Sequence, residues 1–463
     1  MIASRLALAL AALLAASPLA VRAAPTTAPG APASDVVPDA TPMPLDPAIV
    51  AALGHISAAH LRAIDTKLVS FGTRNLFSEG LHERGRGVYA ARDWIAGQFG
   101  DIAKTTGDRM TVHFDTFVQP KTSYTPRAVE TSSVYATLRG DDPSRGTIVI
   151  SSHYDSRNSD GNDATRNAPG ADDNGSGTSA VLEAARALAP LHFKATLVFA
   201  CFDGEEQGLF GSEHFAKRLM DAGVGVEADF NNDIIGASVG HDGENEPDDV
   251  RLFSEALPAG ANPARVDAAG TENDSPAREL ARAAKESGEA YLPKMHVDLI
   301  YRADRFLRGG DQESFSEQDF PAIRYVEPHE NFDHQHQDVR RENGRQYGDL
   351  LAYVDFDYLA RVTQLNAASL ATLALAPSTP VSQLDSRALG YDSTLLWTAV
   401  PGAASYEVLW RATTDATWTH RRNVGDATTA TLPLSKDDWL FGVRAIDAFG
   451  HPSVAAFPTP KAR

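Results

Sequence analysis

Three short stretches, His153-Tyr154-Asp155, Gly170-Ala171-Asp172-Asp173-Asn174 and Asp203-Gly204-Glu205-Glu206, bring one imidazole and several carboxylates close together in the chain. Each falls where a predicted strand runs out or a predicted helix begins. Carboxylates gathered into one small pocket repel one another and draw protons back on. Bound divalent cations remove that penalty, so these residue types suit hydrolysis at a two-metal site. A charge count assigns the parts. Two Zn2+ ions bring four positive charges, and three carboxylates with one hydroxide return four negative ones. Asp172, Glu206 and Asp233 as ligands, with His153 and one further histidine, give a neutral site and leave Glu205 free for proton transfer. Taken singly, each residue has a plainer role. A histidine at a strand end is commonly structural, paired glutamates commonly face water, and Asp172-Asp173 before Gly-Ser-Gly could cap a helix. The ordered set is what points to a site.

These residues need elements to hold them. Strand-like segments are predicted at 110–118, 133–139, 147–152, 195–202 and 322–326. They alternate with helical stretches: one starting at Pro47 on the spacing Ile49, Leu53, Ile56, Leu61, Ile64, Leu68, then 86–99, 175–189 and 348–374. That alternation predicts an α/β fold, a mainly parallel mixed sheet sandwiched by helices. Ligand crevices in such sheets lie off the carboxyl ends of the strands, where His153 and Glu205-Glu206 fall.

Four motifs then resemble, in order and spacing, those of the zinc-dependent aminopeptidases with two co-catalytic metals, a family of secreted bacterial metallopeptidases. They are Ser152-His153-Tyr154-Asp155-Ser156, the run Pro169 to Gly177 (PGADDNGSG), the run Glu205 to Ser212 (EEQGLFGS), and Asn232-Asp233-Ile234-Ile235-Gly236. Phe71-Gly72-Thr73-Arg74 is similar to the family's helical lead-in, and the resemblance covers roughly residues 50–375. It implies that His153 and Asp233 hold one metal and Glu206 the other, with Asp172 bridging them. Glu205 is implied as general base and Asp155 as the carboxylate that orients His153. The last ligand is implied to be His334, which stands four residues before Asp338, with His336 and then His329 as alternatives. Gln312 stands where relatives usually carry histidine, which bears on substrate contacts. The implied cofactors are two Zn2+, and the implied substrates are peptides with free N-termini. Tyr301 and Tyr325 are both candidates for oxyanion stabilisation. Other readings are a glutaminyl cyclase-like enzyme, a carboxypeptidase or other amide hydrolase on the same fold, and a non-catalytic binding protein.

The rest of the chain frames this reading. With 463 residues, two or three domains are expected. The net charge of −19 argues against nucleic acid or anionic membrane as partner. Residues 1–23 have a basic start, an apolar run and a small-residue end, and are expected to be a signal peptide. The mature protein would then be exported, periplasmic or extracellular, with no membrane association after cleavage. Residues 24–45, rich in Pro, Ala and Thr, read as a disordered linker or pro-segment. A metallopeptidase domain is expected over 46–376. Alternating apolar runs at 393–397, 405–411, 428–432 and 439–446 predict a fibronectin type III-like β-sandwich over 377–463. The single cysteine, Cys201, reads as a buried strand residue and permits no internal disulfide.

Overall fold

A computed structural model describes residues 43–256, 272–387 and 390–461. The expected signal peptide and nearly all of the 24–45 segment lie outside the described residues. The helical run expected from Pro47 is two helices, α1 (Pro47–Leu53) and α2 (Ala58–Ser70). Gly54 ends the first, and the Ser57 hydroxyl caps the second by accepting the amide of His60 at 3.2 Å. Next, α3 (Gly87–Ala103) buries Val88, Ala91, Ile95 and Phe99, one stripe at helical spacing.

A hairpin of β1 (Met110–Gln119) and β2 (Val129–Leu138) leads into the central α/β repeat. This comprises β3 (Thr147–His153), α4 (Gly177–Leu188), β4 (Thr196–Phe202), α5 (Phe210–Asp221) and β5 (Val226–Asn232). Then come β6 (Asp249–Ser254), α6 (Pro276–Tyr291), β7 (His296–Ile300), a short α7 (Gln312–Ser316) and β8 (Ala322–Val326). A two-stranded ribbon, β9 (Arg340–Glu342) with β10 (Arg345–Tyr347), precedes α8 (Phe356–Leu375). The sequence reading started that helix near 348. It starts at Phe356 because Asp355 caps it, accepting the amides of Asp357 and Tyr358.

Eight strands make one sheet in the order β1-β2-β4-β3-β5-β8-β6-β7. The pairs among β4, β3, β5 and β8 are parallel, while β1–β2, β2–β4 and β6–β8 are antiparallel. Every residue of β3 is buried, as a strand covered on both faces requires. Ile148 and Ile150 join Leu197, Phe199 and Cys201 in the large core beneath α1–α4, α6 and α8. Val149, Val198 and Phe202 face the other way, onto Phe215 of α5 and Phe315 of α7. Helices therefore cover both faces, as expected, and Cys201 is buried in β4. Among the described residues no single helix is long and apolar enough to cross a membrane.

After α8 the chain forms two small sheets. Strands β11 (Ser382–Leu384), β12 (Ser393–Trp397), β15 (Thr429–Leu432) and β17 (Thr459–Pro460) make one; β13 (Ser405–Ala412), β14 (His420–Asn423) and β16 (Trp439–Ile446) make the other. They are tied to α6 by charge. Arg411 pairs with Asp274 at 2.5 Å with both side chains fully buried, and Arg444 and Arg421 both reach Glu286, at 2.6 and 3.0 Å.

Candidate active site

The chemistry-bearing residues converge off the carboxyl ends of the central strands. His153 is the last residue of β3, Glu205 and Glu206 follow β4, and Asp233 follows β5. The turn before α4 supplies an aspartate, and the loop after β8 supplies a histidine. His153 Nε2 lies 3.3 Å from Asp173 Oδ1 and 3.4 Å from Asp233 Oδ1. His336 Nε2 lies 2.9 Å from Asp173 Oδ2 and 3.0 Å from Glu206 Oε2. The result is two groups with ligand atoms close enough to hold a metal ion, His153–Asp173–Asp233 and Asp173–Glu206–His336, which share Asp173.

Of the expected ligands, His153, Glu206 and Asp233 lie in these groups, and Asp172 and His334 lie outside them. Asp172 turns away from the cleft: its Oδ1 accepts the amide of Gly236 at 2.8 Å. Burial pushes its carboxyl up to about 6 and pushes the adjoining Glu327 well above the usual range, and neither residue belongs to the two groups. Asp173 takes the shared position because the turn leaves helical geometry there, at φ −104° and ψ 93°. The Asp349 carboxylate fixes that geometry by accepting the amides of Asp172 and Asp173 at 2.9 and 2.7 Å. His334 stacks on Tyr353 with ring centroids 3.6 Å apart, outside both groups. His336 enters instead on a left-handed backbone, φ 54°. His329 pairs with Glu246 at 2.9 Å, also outside both groups.

Asp155 does two things. It faces His153 Nδ1 with its Oδ1 at 3.3 Å and its main-chain carbonyl at 3.2 Å, which keeps the proton on Nδ1 and frees Nε2. Its two carboxylate oxygens also accept the amides of Glu205 and Glu206, at 3.2 and 3.3 Å. Two residues that the sequence reading did not single out for the site complete the support. Arg74, fully buried, donates to the carbonyls of Tyr154, Pro169 and Gly170 at 2.6, 2.5 and 2.8 Å and so folds the loop that carries Asp173. Arg324, also fully buried, holds Asp233 Oδ2 at 2.5 Å and Asp304 Oδ2 at 2.6 Å. Burial pushes the Asp233 carboxyl up, but the Arg324 charge and His153 together draw it down to about 2.

The donor set fits divalent cations. His153 Nε2, Asp233 Oδ1 and Glu206 Oε1 are buried with no hydrogen-bond partner among the described residues, and each of these three residues belongs to one of the two groups. Groups buried this way are ordinarily satisfied. The carboxylates demand positive charge strongly enough to raise His336 to about 10, against the effect of its burial, through Glu206 and Asp173. His153 is likewise raised against burial by Glu205 and Asp233. Imidazole nitrogen with carboxylate oxygen is a ligand set that suits zinc.

Glu205 lines the open cleft above these groups, a space of about 620 Å³ that also takes in Tyr124, Arg157, Arg305, Leu307, Arg308 and Glu313. Burial pushes its carboxyl well above the ordinary range, with His153 opposing. Neither oxyanion candidate lines this cleft. The Tyr301 hydroxyl donates to the Ala416 carbonyl, and Tyr325 is buried in the core. Gln312 donates to Asp304 at 2.6 Å, beside Arg324.

Known proteins resemble this chain along most of its length. A family model described as peptidase family M28 matches residues 133–354. A probable zinc metalloprotease of Leptosphaeria maculans is 45% identical over 421 residues, covering 89% of this chain and 97% of its own. One from Pyricularia oryzae is 44% identical over 445 residues, covering 93% of this chain and 88% of its own. These relatives are fungal, where the sequence resemblance pointed to bacterial enzymes. The LapA aminopeptidase of Legionella pneumophila shares the fold, with a TM-score of 0.51 and 21% identity over 71% of this chain and 74% of that one.

Proposed function

The chain belongs to the zinc metallopeptidases of family M28, and from that membership and the cleft geometry we propose that it is an aminopeptidase, releasing N-terminal residues from peptides. The observation that carries this reading is the shared Asp173, which joins two ligand groups into one site that two zinc ions would fill, with Glu205 in the cleft beside them. When bound, such cations polarise the scissile carbonyl and make water acidic enough to attack near neutral pH. The protein's own residues do the rest. Asp155 holds His153 with Nε2 turned inward, and Asp173 spans the two groups with one oxygen towards each. Glu205 accepts the proton of the attacking water at its carboxylate and returns it to the departing amine nitrogen. Glu313 in the cleft wall and Glu205 offer carboxyl oxygens that can accept the hydrogens of a free α-ammonium. An N-blocked peptide has no such anchor. The expected signal sequence supports export to the periplasm or the medium, and the seven C-terminal strands support a fibronectin type III-like reading.

The test is mass spectrometry of a mixed peptide pool incubated with the zinc-loaded chain, beside a chelated control. Stepwise loss of N-terminal residues, abolished by chelation and absent on N-acetylated peptides, is the expected outcome. Ammonia loss from N-terminal glutamine would replace this reading with a glutaminyl cyclase, and shortening from the C-terminus with a carboxypeptidase.

A further inference from the structure

Three arginines line the cleft, and they differ in one respect. Arg305 and Arg308 both pair with Glu330, at 3.0 and 2.6 Å, and Arg305 pairs with Asp304 as well, while Arg251 shares the same glutamate. Arg157, half-buried, has no carboxylate within ion-pair distance among the described residues. Its guanidinium donates to two main-chain carbonyls, from Nε to Asn158 at 3.1 Å and from Nη2 to Ser159 at 3.4 Å. Nη1 has no acceptor among the described residues.

The loop beneath this guanidinium is fixed. The Gly161 carbonyl accepts Asn75 Nδ2 at 2.8 Å and Gln207 Nε2 at 2.9 Å, and Asn162 Nδ2 donates to the Tyr124 carbonyl at 3.2 Å. Asp338 accepts Ser159 Oγ at 2.8 Å and Arg166 Nη1 at 2.6 Å. The guanidinium packs over Gly161, where a Cβ would come within 3.3 Å of Cζ. Arg157 is therefore preorganised, and a ligand that meets it orders little that is not ordered already. Cations on Asp173, Glu206 and Asp233 would balance the cleft floor and leave Arg157 without a counter-charge. A planar guanidinium with free donors matches a carboxylate. A peptide whose ammonium is drawn to the acidic groups carries its own anion one or two residues further on. The cleft, within the ~300–1,000 Å³ usual for small-ligand sites, has room for a short peptide.

We infer that Arg157 docks a carboxylate on the leaving part of the substrate, so that the enzyme favours peptides with a negative charge just beyond the scissile bond. This rests on the aminopeptidase reading. The carboxylate comes from one of two sources, the α-carboxylate of a di- or tripeptide or an Asp or Glu side chain next to the cleaved bond. The test compares kcat and KM of the zinc-loaded full chain and its Arg157→Gln and Arg157→Lys variants on matched substrates. Leucyl-glycine against leucyl-glycinamide probes the α-carboxylate. Leucyl-aspartyl-amide against leucyl-asparaginyl-amide probes the side chain, and leucine anilide is the neutral reference. The expected result is a preference of about tenfold or more for the charged member of at least one pair. It should lie in KM, be lost in Arg157→Gln and be partly kept in Arg157→Lys. The responding pair identifies the source. No preference in the natural chain, a preference that survives Arg157→Gln, or an equal loss on every substrate overturns the inference. Absence of turnover by the natural chain on every one of these substrates would sink the aminopeptidase reading, and this subsite with it.

Discussion

Asp155 links the two halves of the chemistry, because one carboxylate both sets the His153 tautomer and fixes the backbone under Glu205 and Glu206. Asp155→Asn should weaken zinc binding by about 10–100-fold and misplace the base as well. Both effects can be read by metal titration alongside kcat. Glu205→Gln should keep its metal and lose about 10²–10⁴-fold in kcat. Normal turnover by that variant would remove Glu205 as the base. Adjacent residues separate the ligand assignments. Asp173→Asn should reduce zinc content at both positions, since both groups include Asp173. Asp172→Asn should leave the ligand set intact. In the same way His336→Gln should lose metal and His334→Gln should not. Elemental analysis of the four purified variants decides the matter, and the reverse pattern would restore Asp172 and His334 as ligands.

At the scale of elements, the loop from Tyr154 to Gly170 and the turn after it are held in place by Arg74 and Asp349 rather than by a regular ladder. Arg74→Met would leave three carbonyls without their donors and should cost about 3 kcal/mol or more. A thermal melt combined with zinc content checks this, since the loop carries Asp173. The elements differ in how plainly the sequence announced them. Strands β3 and β4 were legible because strands covered on both faces carry near-continuous apolar runs, and β8 was legible as a short apolar stretch around Arg324. The break between α1 and α2 was not, because the apolar spacing continues across Gly54 and only the Ser57 cap divides it. No element was predicted over 240–310, yet it holds β6, α6 and β7. Its two strands are short, and β7 is only partly covered, so neither leaves a clear period. Asp173 could not be told from Asp172 because an acceptor 177 residues downstream sets which side chain faces the cleft. His336 was obscured likewise, since its left-handed backbone breaks the spacing from which His334 was chosen.

Across the whole molecule, the C-terminal strands are joined to the catalytic body by charge. Besides the arginines that reach Asp274 and Glu286, Trp418 donates to Glu279 at 2.9 Å, and Lys194 reaches Asp447 at 3.0 Å. A tethered module could be removed without effect on its neighbour, but removal of 377–463 here would uncover α6 and leave buried acids unmatched. The truncated chain should melt well below the full one. Arg411→Met alone should cost about 3 kcal/mol, the lower end for breaking a buried pair, because Arg282 still lies 3.0 Å from Asp274. An unchanged melting temperature for both would show the strands to be independent. These pairings also set a schedule for synthesis. Arg411 comes 137 residues after Asp274, and Arg444 comes 158 after Glu286. At ribosomal speeds of about 5–20 residues per second, roughly 7–30 s separate the first pair. The nascent protease thus carries an incompletely neutralised helix until its last strands are made, a built-in delay between making the cleft and finishing the body that supports it.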